Sequence, residues 1–283
     1  MSKSNFFSIS IGGALIAVAI LASLYVFSKL NSPTSSPSSQ LGQAAAVSAP
    51  PSPIVYHSFD DVSMNWSTFT ASDQSGNNFH GTLNNMSWAA NAVAGKVNQA
   101  LSFDGVNDTV SLGDINVLDG VTQLTVSSWF NAKTVSSNQT SIISKELQSG
   151  NLFYGWGYQI VNGGGGNQIF FIIRNGDTPV THSWTALNAF STNQWYNLVL
   201  RYDGSAIGNS NRVKAYLNGV ELPLTFAGTV PPVLASTDAP VLLGRAGHGL
   251  DGYFNGSIDD VRIYNRALTV TEIQNLAATV TQS

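Results

Sequence analysis

The chain of 283 residues contains no cysteine. That excludes a disulfide framework, a thiolate nucleophile and any cysteine-ligated metal centre. Charge is scarce as well: Asp, Glu, Lys and Arg make up only 10% of the residues, and Lys plus Arg number twelve. A nucleic-acid-binding surface needs a basic face or stripe, and this chain is acidic overall. Glutamate is down to Glu146, Glu221 and Glu272, so a paired-glutamate hydrolase has little to draw on. No G-x-S-x-G precedes a helical pattern, which removes the serine-hydrolase elbow. The four histidines, His57, His80, His182 and His248, show no zinc-type spacing.

What is present falls into three compositional blocks. Residues 6–27 carry no charge and are almost entirely apolar. At about 1.5 Å per residue they reach roughly 33 Å, enough for a hydrocarbon core of about 30 Å. The expectation is a signal-anchor helix over 6–28, with residues 1–5 inside and the rest of the chain outside, at the cell surface. Secretion after cleavage is the alternative, although the nearest good small-residue run, Ala44–Ala46, lies far downstream. Residues 29–53 are rich in Ser, Pro and Ala and poor in large apolar side chains, which predicts a disordered, semi-extended spacer. Past Lys29, ten basic residues (twelve less Lys3 and Lys29) face sixteen acidic ones, a net charge of minus six.

From Ile54 onward the apolar runs are short and separated by Gly, Asn and Asp. IVYHSF (54–59), LTVSSWF (124–130), IFFIIR (169–174) and YNLVLRYDG (196–204) are examples. Runs rich in Val, Ile, Phe and Tyr between turn residues predict antiparallel strands in a sandwich. YNLVLRYDG and VKAYLNG (213–219) predict a hairpin, with Asp203-Gly204 and Asn218-Gly219 as tight turns. Val261 and Ile263 alternate with Asp260, Arg262 and Tyr264, a half-buried strand. Thr269-Val-Thr-Glu272 then reads as a capping box opening a helix with Ile273, Leu276 and Ala277 on its apolar side. The run Gly163–Gly166 opens no helix and predicts a loop rather than a phosphate cradle.

The order of YHSFDD (56–61), DQSGNNFHGTL (73–83), AGKVNQALSFDGVND (94–108), LTVSSWF, WYNLVLRYDG, AYLNG, LLG and FNGSIDDVRIYNRAL resembles the laminin-G-like jelly rolls of bacterial surfaces, which are concanavalin A-type sandwiches. The resemblance covers about residues 54–278. It implies an all-β, antiparallel two-sheet jelly roll spanning 54–283, with six to seven strands per sheet and the first and last strands adjacent. Glycosidases on this sandwich carry an E-x-D-x-E strand, which is missing here. Asp259 and Asp260 are neighbours and are expected on opposite strand faces. The expectation is therefore a binding module and not an enzyme. Its partner is a glycan or a cell-surface protein. The alternatives are a self-assembling structural or adhesive component and, less favoured, a glycoside hydrolase.

Two candidate sites follow. Calcium takes 6–8 oxygen ligands from loops rich in Asp, Asn and Gly, and DQSGNN (73–78) is such a loop. By resemblance a structural calcium is assigned to Asp60, Asp73, Asn78 and Asp259; the competing reading has Asp73 capping its own turn and Asp259 pairing with a nearby basic side chain. Sugar rings stack on aromatic side chains while their hydroxyls take polar partners. The ligand-binding candidates are Tyr154, Trp156, Arg174, Trp184, His248 and Asp251, whereas Tyr158 and Trp129 are expected in the core. Five N-x-S/T sequons add little in a chain this rich in Asn, Ser and Thr.

Overall fold

The computed structural model describes residues 52–177, 181–249 and 252–278. The predicted anchor, most of the spacer and Asp251 lie outside the described residues. Among those described, no helix is long and apolar enough to cross a membrane.

The strands form two antiparallel sheets. One has eight strands, running Val220–Leu222, Val213–Leu217, Tyr196–Asp203, Gln123–Ala132, Asn255–Tyr264, Gln99–Asp104 and Ala92–Ala94, with Val55–His57 also paired to Asn255–Tyr264. The other has ten, from Thr225–Ala227 through His182–Trp184, Asn167–Asp177, Leu152–Asn162, Thr140–Ser149, Val241–Leu243, Thr109–Ser111, Gly81–Asn84 and Thr70–Ala71 to Met64–Asn65. The sheets are larger than the six to seven strands expected because two- and three-residue strands extend their edges. The first strand pairs with the last, with Val55 opposite Ile263 and His57 opposite Val261.

Alternation along each strand builds the core. Val126 and Phe130 face Tyr158, Ile160, Phe171 and Ile173 across the gap between the sheets, all buried in one cluster. Burying side chains of this size stabilises by about 1.5–3 kcal/mol each before conformational entropy is subtracted. Ser128 and the Tyr158 hydroxyl hydrogen-bond across this core at 2.7 Å. Trp129 is buried too, but on the outward side of its strand, where the Lys96 ammonium lies 4.9 Å from its ring centroid.

The C-terminal helix Val270–Ala277 forms as the capping box requires. Thr269 accepts from the Glu272 amide, and Glu272 accepts from the Thr269 amide. Ile273 and Leu276 bury a second small cluster with Leu268, Val199, Tyr216 and Tyr264. The predicted hairpin pairs Tyr196–Asp203 with Val213–Leu217. Asn218 and Gly219 take φ of 52° and 77° in the two-residue turn that follows. Asp203-Gly204 is not such a turn: the chain leaves the strand, passes through the short helix Asn209–Arg212 and only then returns.

Candidate functional site

Parity on the ten-stranded sheet decides which predicted ligand residues meet. Ile169, Phe171 and Ile173 point into the core, so Phe170, Ile172 and Arg174 occupy the outer face. Trp156, Tyr158 and Ile160 likewise point inward, leaving Gly155, Gly157 and Gln159 outside. Trp156 is therefore a core residue, 1% exposed, and not a ligand contact. The sequence places Trp156 among four aromatics within six positions, and a one-residue difference in parity separates a binding ring from a packing ring. Tyr154 sits half-buried near the strand end, opposite Leu147 and Asn175.

On the outer face His182 and Trp184 stand opposite Ile172 and Phe170. Three half-buried rings result. Phe170 and Trp184 stack at 6.0 Å with an interplanar angle of 16°, and His182 lies 5.2 Å from Trp184 and 5.7 Å from Phe170. Across the next strand Trp184 is opposite Thr225, a small and exposed residue. Phe170 and His182 were not singled out by the sequence. Phe170 sits inside an unbroken apolar run, where nothing marks the face it takes.

Arg174 lies four residues from Phe170 on the same face, roughly 13 Å at the usual strand rise. Its guanidinium is 3.4 Å from Glu146, which is buried and also 3.2 Å from His248 Nε2. Gln159 Nε2 donates to the other Glu146 oxygen at 3.4 Å. The Phe153 ring packs against both side chains, 5.2 Å from the Arg174 guanidinium and 5.7 Å from the His248 ring. Arg174 and His248 are thus brought together, but through Glu146, whose charge the Arg174 guanidinium neutralises. A carboxylate this buried requires such partners.

The calcium candidates separate into two places. Asp73 is saturated: it accepts from the amides of Tyr56, Ser75 and Phe79 and from the Ser75 hydroxyl. Burial opposes ionisation there, but these hydrogen bonds outweigh it and hold the Asp73 carboxyl below its usual range. Asn78, at φ 63°, belongs to the same turn. Asp60 and Asp259 instead converge on the 95–99 turn. Asp259 Oδ2 accepts the Lys96 and Val97 amides at 2.9 Å each, and Asp60 Oδ1 accepts the Gln99 amide at 3.1 Å. Only glycine fits at 95, because a β-carbon would sit 2.7 Å from Asp259 Oδ2 and 2.6 Å from the Gln99 carbonyl.

The last strand does not keep plain alternation here. Its register shifts between Asp259 and Arg262, with Asp260 at φ 51°. This bulge puts Asp259 opposite Trp129, while Asp260 pairs with Arg262 at 2.9 Å on the same side of the sheet. The opposite faces expected for Asp259 and Asp260 therefore do not occur. Asp259 Oδ1 is buried without a hydrogen-bond partner. Burial above all, with the charges of Asp260 and Asp60, pushes its carboxyl up to about 8. An orphaned, desolvated carboxylate oxygen beside a second carboxylate is what a hard cation would satisfy. Among the described residues no group of three or more His, Asp or Glu is gathered in this way, so carbonyl oxygens would have to complete the shell.

A two-sheet antiparallel sandwich whose first and last strands pair is the architecture of the concanavalin A-type jelly rolls. The chain belongs to the Concanavalin A-like lectin/glucanases superfamily, whose Laminin_G_3 model matches residues 104–274. No curated protein sequence matches it significantly. Among solved structures it is similar to domain 4 of the extracellular arabinanase AbnA from Geobacillus stearothermophilus, in complex with arabinotriose. That match has 24% identity and a TM-score of 0.55, over 80% of this chain and 98% of that one. It is also similar to the binding domain of botulinum neurotoxin DC in complex with rat synaptotagmin II, at 16% identity and a TM-score of 0.57, over 80% of this chain and 51% of that one. A third match is the Trypanosoma rangeli sialidase in complex with the inhibitor DANA, at 15% identity and a TM-score of 0.52, over 94% of this chain and 39% of that one.

Proposed function

We propose that the domain is an extracytoplasmic binding module that meets a glycan through the outer face of its ten-stranded sheet. The observation that carries this reading is the Phe170–Trp184–His182 stack, with Trp184 at its rim. A sugar offers a C–H face to the indole, and its hydroxyls find polar groups on the same surface. Binding is favoured over hydrolysis because each of the three glutamates is tied up in an ion pair: Glu146 with Arg174, Glu221 with Lys214 and Glu272 with Arg266. The arabinotriose and synaptotagmin complexes of similar folds support a glycan and a protein partner respectively.

The test is a glycan array followed by calorimetry, comparing the domain with Trp184→Ala. Binding abolished by the substitution, with melting unchanged, supports the reading. A blank array with concentration-dependent sedimentation would replace it by a self-assembling surface component. The proposal includes the hydrophobic segment 6–28 as a membrane anchor, which protease shaving of intact cells would test. It also includes a calcium ion held by Asp60 and Asp259. Calcium should raise the melting temperature of the wild type and leave Asp259→Asn unmoved; equal responses would remove the ion from the reading.

A further inference from the structure

A buried cation lies on the inward side of the ten-stranded sheet. Lys145 is 1% exposed and stands opposite Trp156 on one neighbouring strand and Val241 on the other. Its ammonium ends among five oxygens. Asp114 Oδ1 lies at 2.7 Å, Asp119 Oδ1 at 3.2 Å, the Thr237 carbonyl at 2.5 Å, the Ala239 carbonyl at 3.0 Å and Thr237 Oγ1 at 3.3 Å.

An ammonium has three hydrogens to donate, so five oxygens exceed what it can serve. Two carboxylates against one ammonium also leave a formal negative charge. Two carboxylates, two carbonyls and a hydroxyl are, in contrast, the usual donor set of a hard divalent cation, with water completing 6–8 ligands. Asp114 and Asp119 keep side-chain exposures of 29% and 19%, which gives such an ion a path in from solvent. The two loops that supply these oxygens also bury Ile115, Leu118 and Leu234 in the main core.

We propose that the Lys145 ammonium is a tethered substitute for a divalent cation, and that this pocket is a calcium-class site which the protein fills with its own side chain. The tie between the 114–119 and 237–239 loops is then permanent and independent of ion supply. Removing the lysine stem exposes the site. Calcium–oxygen distances of about 2.3–2.6 Å require the oxygens to close in by a few tenths of an ångström, and loop carbonyls can make that movement. The inference does not depend on the glycan reading.

The experiment compares Lys145→Ala with Lys145→Met, both in an Asp259→Asn background that silences the other candidate ion. Met keeps the stem's bulk without its charge. Calorimetry should show one calcium bound by the Ala variant, with a melting temperature several degrees higher in millimolar calcium than in chelator. The Met variant and the parent should not respond, and adding Asp114→Asn should abolish the effect. An Ala variant indifferent to calcium overturns the proposal. If that variant folds in neither buffer, Lys145→Ser takes its place, and an ion-indifferent Ser variant likewise overturns it.

Discussion

His57 makes its own share of the domain's acid response calculable. The ring is fully buried on the first strand, 5.8 Å from Phe59, with Nε2 donating to the Phe79 carbonyl at 3.0 Å. Burial, only partly offset by the nearby Asp73 charge and the Phe79 carbonyl, lowers its pKa from 6.5 to about 4. The unfolded chain therefore takes up a proton below about pH 6.5, while the folded ring refuses it until about pH 4. Stability attached to this residue is intact above that window and drains away as pH falls through it. At about 1.4 kcal/mol per pKa unit the loss is roughly 3 kcal/mol. At about 2–4 °C per kcal/mol for a domain of this size, that is roughly 6–12 °C in melting temperature. His57→Gln preserves a donor to the Phe79 carbonyl but cannot titrate. Calorimetric melts at intervals from pH 7.5 to 4 should show the wild type falling relative to the variant by that amount. Curves that stay parallel across the window would refute the reasoning.

Other substitutions probe other parts of the molecule. Glu272→Gln removes the bidentate pair with Arg266 and weakens the helix cap; the pair, with the Thr269 bonds, holds Glu272 at about 2. Because both side chains are partly exposed, about 1–2 kcal/mol is expected at pH 7, shrinking as pH falls from 4.5 toward 2, read from urea midpoints. Trp156→Ala should cost about 3–5 kcal/mol through the cavity it leaves, whereas Trp184→Ala should leave urea stability within about 1 kcal/mol. Equal destabilisation by the two would contradict the assignment of inward and outward faces.

The fold was largely legible because its signals are local and repeated. Alternating Val, Ile and Phe gave the strands, and Asn218-Gly219 gave one turn. Thr269 and Glu272 gave the final helix, and the order of the motifs gave the adjacent ends. Legibility failed where one residue's difference changes the outcome. A bulge at Asp260 overrode the alternation assumed for Asp259, and parity sent Trp156 inward while Trp184 went outward. Phe170 and His182 became neighbours only through pairing between strands, and the oxygens around Lys145 come from positions about thirty and ninety residues away. Contacts of that range leave no mark in a stretch of sequence.

The pairing of Val55 with Ile263 sets an order of events in synthesis. The opening strand leaves the ribosome some two hundred residues before its partner, which at about 5–20 residues per second is a wait of roughly 10–40 s. During that interval the Tyr56 amide and carbonyl can already pair with Asp73 and Gln74, but the strand edge that will meet Asn255–Tyr264 has no mate, and other chains can template on it. Pairing of the first strand must wait for the last strand to emerge. The nascent polypeptide therefore depends on whatever shields it until release, and a circular permutant that joins the two ends should fold faster than the natural order.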